Sequence, residues 1–322
     1  MEYKLLGSTG VQVSELCFGT MSFGGDADET TSATMFQRCR DAGINFFDCA
    51  NVYQRGRAEE ILGRLMAGER DELVITSKFR YPMGDAPNQS GASRRHMLDA
   101  VEASLKRLNT DRIDLYFIHG FDPNTPLEET LRAFDDLVTQ GKILYPTVSN
   151  FAAWQIAKAL GISAKEGWAR FECIQPMYSL VKRQAEVEIL PLAESEKLGV
   201  IPYSPLGGGL LTGKYGLSRR PESGRLVENS MYKSRYREVW VFETAEQFNT
   251  FAQENGYDPA ALAVAWVSAH PAVTAPIIGA RNLEQLEGSL QALEIDMTPD
   301  LRAEISALSV DPPIATYRSE ER

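Results

Sequence analysis

Histidine is scarce in this chain. His96, His119 and His270 are the only three, too scattered to build a zinc site from imidazoles alone. Cysteine is scarce as well: Cys17, Cys39, Cys49 and Cys173 lie far apart with no Cys-x-x-Cys pair. That spacing predicts reduced thiols in a cytoplasmic protein rather than a disulfide framework. No apolar run approaches the ~20 residues of a membrane-spanning helix. The opening MEYKLLGSTG lacks the basic start and apolar stretch of a signal peptide. Basic side chains number 33 against 44 acidic ones, a formal charge of −11, which disfavours non-specific binding to nucleic acid or an anionic membrane. No Gly-x-Gly-x-x-Gly opens a first βα unit, so a dinucleotide-binding Rossmann domain is not expected. GGLLTGKY at 208–215 approaches a Walker loop but places Tyr215 where Ser or Thr would hold magnesium, which argues against a nucleoside triphosphatase.

What is present is an alternation of two textures with a period of roughly 30 residues, as βα units feeding a parallel sheet require. Eight apolar runs read as buried strands: LCFGT at 16–20, NFFDCA at 45–50, ELVITSK at 72–78, DLYFIH at 114–119, ILYPTVSN at 143–150, RFECIQPMYS at 170–179, GVIPYSPL at 199–206 and TAPIIGA at 274–280. Amphipathic stretches separate them, as in SRRHMLDAVEASLKRLN, where Met97, Val101, Leu105 and Leu108 form one stripe. Ser93 and Thr125 stand where helix N-caps belong, with Pro126 in the first turn. Gly43, Gly141 and Gly199 stand where a left-handed residue ends a helix. The pattern predicts an α/β fold, a (β/α)8 TIM barrel, as one domain over 1–322. Residues 3–15 read as a hairpin turned by Ser8-Thr9-Gly10 that plugs the barrel bottom. From Gly207 to about Trp240 no periodicity is visible, and a loop of that length after the seventh strand suggests function or disorder. Pro146 removes a ladder donor from the fifth strand and leaves its register open. Cys49 reads as a small buried filler. Oligomeric state is not legible.

In such a barrel the active site lies at the carboxyl ends of the strands. Asp48 and Tyr53 follow the second strand, Lys78 ends the third and His119 the fourth. Each alone has an ordinary structural explanation; together on one rim they define a chemistry. A phenol with a pKa near ~10 is a poor acid, but a neighbouring ammonium such as Lys78 favours the phenolate by ~1–3 units. Asp48 would hold that ammonium, and His119 would donate to a carbonyl oxygen. The result is a general acid aimed at an oxygen gaining charge as its carbon accepts a hydride, in carbonyl reduction or its reverse. A metal-dependent hydrolase would need more clustered ligands than Asp48 and His119, so no metal is expected.

The sequence resembles the aldo-keto reductases along nearly its whole length. The likeness rests on LGSTGVQVSELCFGTM at 6–21, FFDCANVY at 46–53, EEILGR at 59–64, ITSK at 75–78, EASLKRLNTDRIDLYFIH at 102–119, VSNF at 148–151, IQPMYSL at 174–180, YSPLGGGLLTGKY at 203–215 and PIIGARNLEQLE at 276–287. The resemblance implies that Asp48, Tyr53, Lys78 and His119 form the catalytic tetrad, with Tyr53 as proton donor. It implies that Ser149, Asn150 and Gln175 bind the nicotinamide carboxamide, that Tyr203 stacks on the ring, and that Ser204, Leu206, Gly207 and Lys214 contact the pyrophosphate. Seven basic residues of the long loop (Lys214, Arg219, Arg220, Arg225, Lys233, Arg235, Arg237) suit such a phosphate clasp. Gly279, Ala280 and Arg281 lead into a helix start, where an anion is favoured, so Arg281 is expected to pair with a 2′-phosphate and to favour NADP over NAD. Gln285 belongs to the same group of cofactor positions, although many relatives carry arginine there and asparagine at Ser289. Met21, Phe23, Phe79, Tyr81, Phe121 and Tyr178 are expected on the substrate rim, with parts of the 207–240 loop. The substrate is expected to be a small aldehyde, ketone or alcohol. Since some similar barrels resemble potassium-channel β-subunits, a cofactor-sensing regulatory subunit with slow turnover is the second expectation.

Overall fold

The computed structural model describes residues 1–219, 221–222 and 224–316; Arg220 lies outside them. An antiparallel hairpin, β1 (Tyr3–Leu5) and β2 (Gln12–Ser14), precedes the barrel. The barrel strands are β3 (Cys17–Gly19), β4 (Phe46–Asp48), β5 (Val74–Phe79), β6 (Ile113–Ile118), β7 (Ile143–Ser149), β8 (Cys173–Gln175), β9 (Gly199–Val200) and β10 (Ile277–Ile278). They form one parallel sheet in the order β10-β3-β4-β5-β6-β7-β8-β9. The remaining seam closes through backbone bonds: Val200 O accepts from Thr274 N at 2.9 Å, and Pro202 O accepts from Ile277 N at 2.9 Å. The fold is the expected (β/α)8 barrel, and each of the eight predicted runs contributes a strand.

Helices α1 (Glu29–Asp41), α2 (Arg57–Leu65), α3 (Arg94–Leu108), α4 (Leu127–Thr139), α5 (Ala153–Glu166) and α6 (Ile189–Glu196) follow the first six barrel strands. After β9 come two short helices, α7 (Arg225–Glu228) and α8 (Ser230–Arg235), then α9 (Val239–Glu254) and α10 (Pro259–Ser268). α11 (Leu283–Leu290) and α12 (Pro299–Ser306) follow β10. The long loop is therefore built from helical turns of four to six residues, too short to display a 3.6-residue repeat.

Strand parity decides what the barrel encloses. In β4 and β5, Phe46 and Val74 face the inner cluster, whereas Phe47, Ile75 and Phe79 face the layer under the helices. Leu6 and Val13 of the hairpin join that inner cluster, so the hairpin does plug the bottom. Gly7 (φ +56°) makes the plug close: a Cβ there would lie 2.5 Å from Gly199 N. With the lower barrel filled by hydrocarbon, the polar ends of the inward rows are left at the top.

Several local expectations change. Ser93 caps α3, its Oγ accepting from His96 N, but Thr125 does not cap α4. Pro126 holds the cap position and the Thr125 hydroxyl donates to Asp122 Oδ2 at 2.8 Å, because that carboxylate also collects the Ala92 and Asn124 N–H groups. Gly43 and Gly141 are left-handed, at φ +87° and +71°. Gly199 instead opens β9, and the left-handed residue there is Lys197. Gly199 is small for a different reason, since a Cβ would meet Leu6 Cδ1 at 2.7 Å. Pro146 keeps β7 in register opposite Tyr116, and its carbonyl accepts from Glu172 N.

Candidate active site

Thr76 and Lys78 stand two residues apart on β5 and so share the inward face, while Ser77 points outward between them. Register places Asp48 of β4 directly beside Thr76. From these two placements the centre of the site follows. Lys78 Nζ donates to Asp48 Oδ2 at 2.6 Å, to the Cys49 carbonyl at 2.8 Å and to the Tyr53 hydroxyl at 3.2 Å. The other carboxylate oxygen, Asp48 Oδ1, accepts from Thr76 Oγ1 at 2.8 Å and Gln175 Nε2 at 2.9 Å. Asp48 is thereby locked with one oxygen on the lysine. Burial disfavours the Lys78 ammonium, yet Asp48 and Tyr53 more than offset it and hold its pKa above the usual lysine range.

Tyr53 comes from the loop after β4, where Gln54 and Arg55 adopt left-handed φ values of 48° and 54°. Two consecutive non-glycine residues there mark a constrained backbone. Burial pushes the Tyr53 phenol up to about 12, against the lowering influence of Lys78. The net direction is opposite to that expected from the ammonium alone, because loss of solvation outweighs one charge. The His119 ring stands edge-on to Tyr53 at 6.0 Å and to Tyr81 at 4.9 Å. Burial, then the positive charges of Lys78 and Arg80, hold its pKa well below the ordinary histidine value, so the imidazole is neutral. Its buried Nδ1 has no partner among the described residues.

The three open onto a cleft of about 820 Å³ at the carboxyl ends of the strands, lined by Asp48, Tyr53 and His119 at its floor. Lys78 lies behind them, fully buried. Ser149, Asn150, Gln175, Tyr203, Ser204, Leu206, Lys214, Gly279, Arg281 and Gln285 also line the cleft, whereas Gly207 is buried and does not line it. Ser149 Oγ lies 3.3 Å from Gln175 Oε1, and Asn150 Nδ2 donates to the His119 carbonyl at 2.9 Å. The Tyr203 hydroxyl donates to Asn150 Oδ1 at 2.7 Å, which fixes the ring at the rim. Lys214, Arg225 and Arg281 stand close enough that the two arginines, after burial, depress the Lys214 pKa. Such mutual repulsion marks a place prepared for anions. Arg281 is paired with Asp26 at 3.0 Å, and its N–H donates to Gln285 Oε1.

The substrate rim differs from expectation. Met21 and Tyr81 line the cleft, but Phe23, Phe79 and Tyr178 are core residues and Phe121 packs on Phe151 and Trp154. Of the loop's basic residues, Lys214, Arg225 and Arg235 reach the cleft; Arg219, Lys233 and Arg237 do not. Thr76 was missed, though its parity with Lys78 in ITSK would have revealed it. Val52 was missed too, although it stands in FFDCANVY; Met231 and Tyr232 belong to the 207–240 stretch, which was expected to contribute to the rim without its residues being singled out. Among the described residues no cluster of His, Cys, Asp and Glu could hold a metal ion, and no helix is long and apolar enough to cross a membrane.

A barrel with this rim constellation defines a class of oxidoreductase, and the comparisons with known proteins agree. The Aldo/keto reductase family model matches residues 15–310, and the chain belongs to that family. It is 39% identical over 316 residues to an uncharacterized oxidoreductase, YrpG, of Bacillus subtilis, covering 94% of each chain. It is 36% identical over 327 residues to a probable voltage-gated potassium channel subunit beta of Oryza sativa, covering 98% of this chain and 99% of the rice protein. It is 34% identical over 316 residues to norsolorinic acid reductase of Aspergillus flavus, covering 94% of this chain and 79% of the fungal one. The protein is thus an oxidoreductase of a family that generally uses a nicotinamide dinucleotide.

Proposed function

We propose that the protein is an NADPH-dependent reductase of aldehydes and ketones, and an alcohol dehydrogenase in reverse, with Tyr53 as proton donor. The observation that carries this reading is the Lys78 ammonium within hydrogen-bonding reach of both Asp48 Oδ2 and the Tyr53 hydroxyl at the cleft floor. The residues present suit a dinucleotide: amide and hydroxyl groups of Ser149, Asn150 and Gln175 for a carboxamide, and the flat face of Tyr203 for its ring. Ser204, Leu206 and Lys214 would take the pyrophosphate and Gly279, Arg281 and Gln285 the adenosine 2′-phosphate, which favours NADP over NAD. Reduced nicotinamide, when bound, supplies a hydride to the carbonyl carbon. Tyr53 gives its proton to the carbonyl oxygen, and Lys78 stabilises the phenolate left behind. Neutral His119 donates to the same oxygen and orients it. Asp48, held by Thr76 and Gln175, keeps the ammonium aimed at Tyr53.

The test is steady-state NADPH consumption with a panel of aldehydes and ketones, together with Tyr53→Phe. Multiple turnovers that fall by orders of magnitude in the variant, with cofactor affinity kept, support the reading; a variant that retains most of its rate refutes the proton donor. Likeness to the rice channel subunit favours a second reading, a cofactor-sensing subunit. A single slow turnover across the whole panel would support that one instead.

A further inference from the structure

Arg235, the last residue of α8, stands on the cleft wall without a carboxylate partner among the described residues. Its guanidinium carbon lies 5.2 Å from the Tyr232 ring centre and 5.9 Å from that of Tyr203. Among the described residues its side-chain hydrogen bond runs to the Met231 sulfur at 3.8 Å, a weak acceptor. In a chain with 44 acidic residues against 33 basic ones, Arg235 and Arg225 both reach the cleft without an ion pair among the described residues, and of the two Arg235 is the one stacked against Tyr203. The neighbouring cleft residue Arg281, by contrast, pairs with Asp26. Stacking occupies the faces of a guanidinium and leaves its N–H fork, which matches the two oxygens of an oxyanion.

The surroundings tie Arg235 to the reacting end. Tyr203, beneath it, is bonded to Asn150, and Asn150 to the His119 carbonyl. Lys214, Arg225 and Arg281 form a separate positive group. Tyr232 touches both sets, since Arg225 lies 5.6 Å from its ring centre.

We infer that the carbonyl compounds taken by this cleft carry an oxyanion, carboxylate or phosphate, and that Arg235 binds it. This rests on the proposed reductase reading and adds a substrate class to it. The experiment compares 4-formylbenzoate and 4-formylphenyl phosphate with the neutral methyl 4-formylbenzoate in the NADPH-loaded protein. At least one anionic aldehyde should exceed the ester in kcat/KM by about tenfold or more, mainly through KM, as a charge-assisted bond to the substrate requires. Whichever anion wins names the group. Arg235→Met should remove most of that ratio. Equal kcat/KM for anions and ester, or a ratio unaffected by the substitution, overturns the inference. So does a loss of NADPH affinity in Arg235→Met that matches the lost ratio, because the bound anion is then the cofactor's own phosphate. Calorimetric binding of the same aldehydes to the NADPH complex separates the two claims. Without turnover the reductase reading fails, and Arg235 is still decided by whether the anions bind more tightly than the ester.

Discussion

Lys78 Nζ lies 3.2 Å from the Tyr53 hydroxyl, and the lysine side chain is wholly shielded from solvent by the barrel. The amine is therefore both a buried charge and a partner of the phenol, so removing it acts on two quantities at once. Lys78→Met should lower carbonyl reduction by about 10²–10⁴-fold, the usual span of a general-acid contribution. It should also destabilise the fold by about 3–5 kcal/mol, because Asp48 would remain as a buried charge held only by neutral donors. Adding Asp48→Asn should restore much of the melting temperature and none of the rate. Recovery of both would mean that the amine matters only for folding.

The pH dependence follows from the same contact. As the proposed donor, Tyr53 could give up a proton only while protonated, and burial pushes that phenol up to about 12. Reduction should therefore stay level through neutral pH and decline only on the alkaline side, while alcohol oxidation, which needs the phenolate, rises with pH. His119 is held neutral by burial and nearby positive charge, so it should add no step between pH 6 and 8, the range where an unperturbed imidazole titrates. A bell-shaped reduction profile with a limb in that range would contradict the neutral histidine.

The strands were legible because each is a short apolar run of the kind buried on both faces of a parallel sheet, and the gathering of Asp48, Tyr53, Lys78 and His119 because the barrel rule puts strand-end polar residues on one rim. Parity also shows why some assignments failed. Lys78 faces inward, so Phe79 must face outward, where it stacks on Tyr116 at 5.1 Å. It could never have reached the substrate rim. Pairings across strands were not legible: Thr76 and Gln175 meet Asp48 only once register and barrel curvature are set. Nor was the fold of the 207–240 stretch, whose helical turns are shorter than the repeat that would betray them.

Beneath the site, Glu59 of α2 has no exposed surface, accepts from the outward-facing Ser77, and pairs with Arg107 of α3 at 2.6 Å. This ties the helix that follows Tyr53 to the strand that carries Lys78. Arg107→Leu should cost about 3–5 kcal/mol, since it strands a buried carboxylate. Arg107→Leu with Glu59→Gln should recover most of that loss in a denaturation midpoint. A cost near zero for the single substitution would mean that water enters and solvates Glu59.

Asp26 and Arg281 make the last relationship testable. Their pair is 3.0 Å long and partly exposed, so it contributes little to stability, but it occupies the guanidinium proposed for the 2′-phosphate. A phosphate must share or displace that carboxylate. Asp26→Asn should therefore tighten NADPH binding several-fold with little change for NADH, while Arg281→Ala should bring the two cofactors together. Fluorescence titration of both dinucleotides measures each effect. Equal affinities in the native protein, unchanged by either substitution, would remove Arg281 from the cofactor site and with it the preference for NADP.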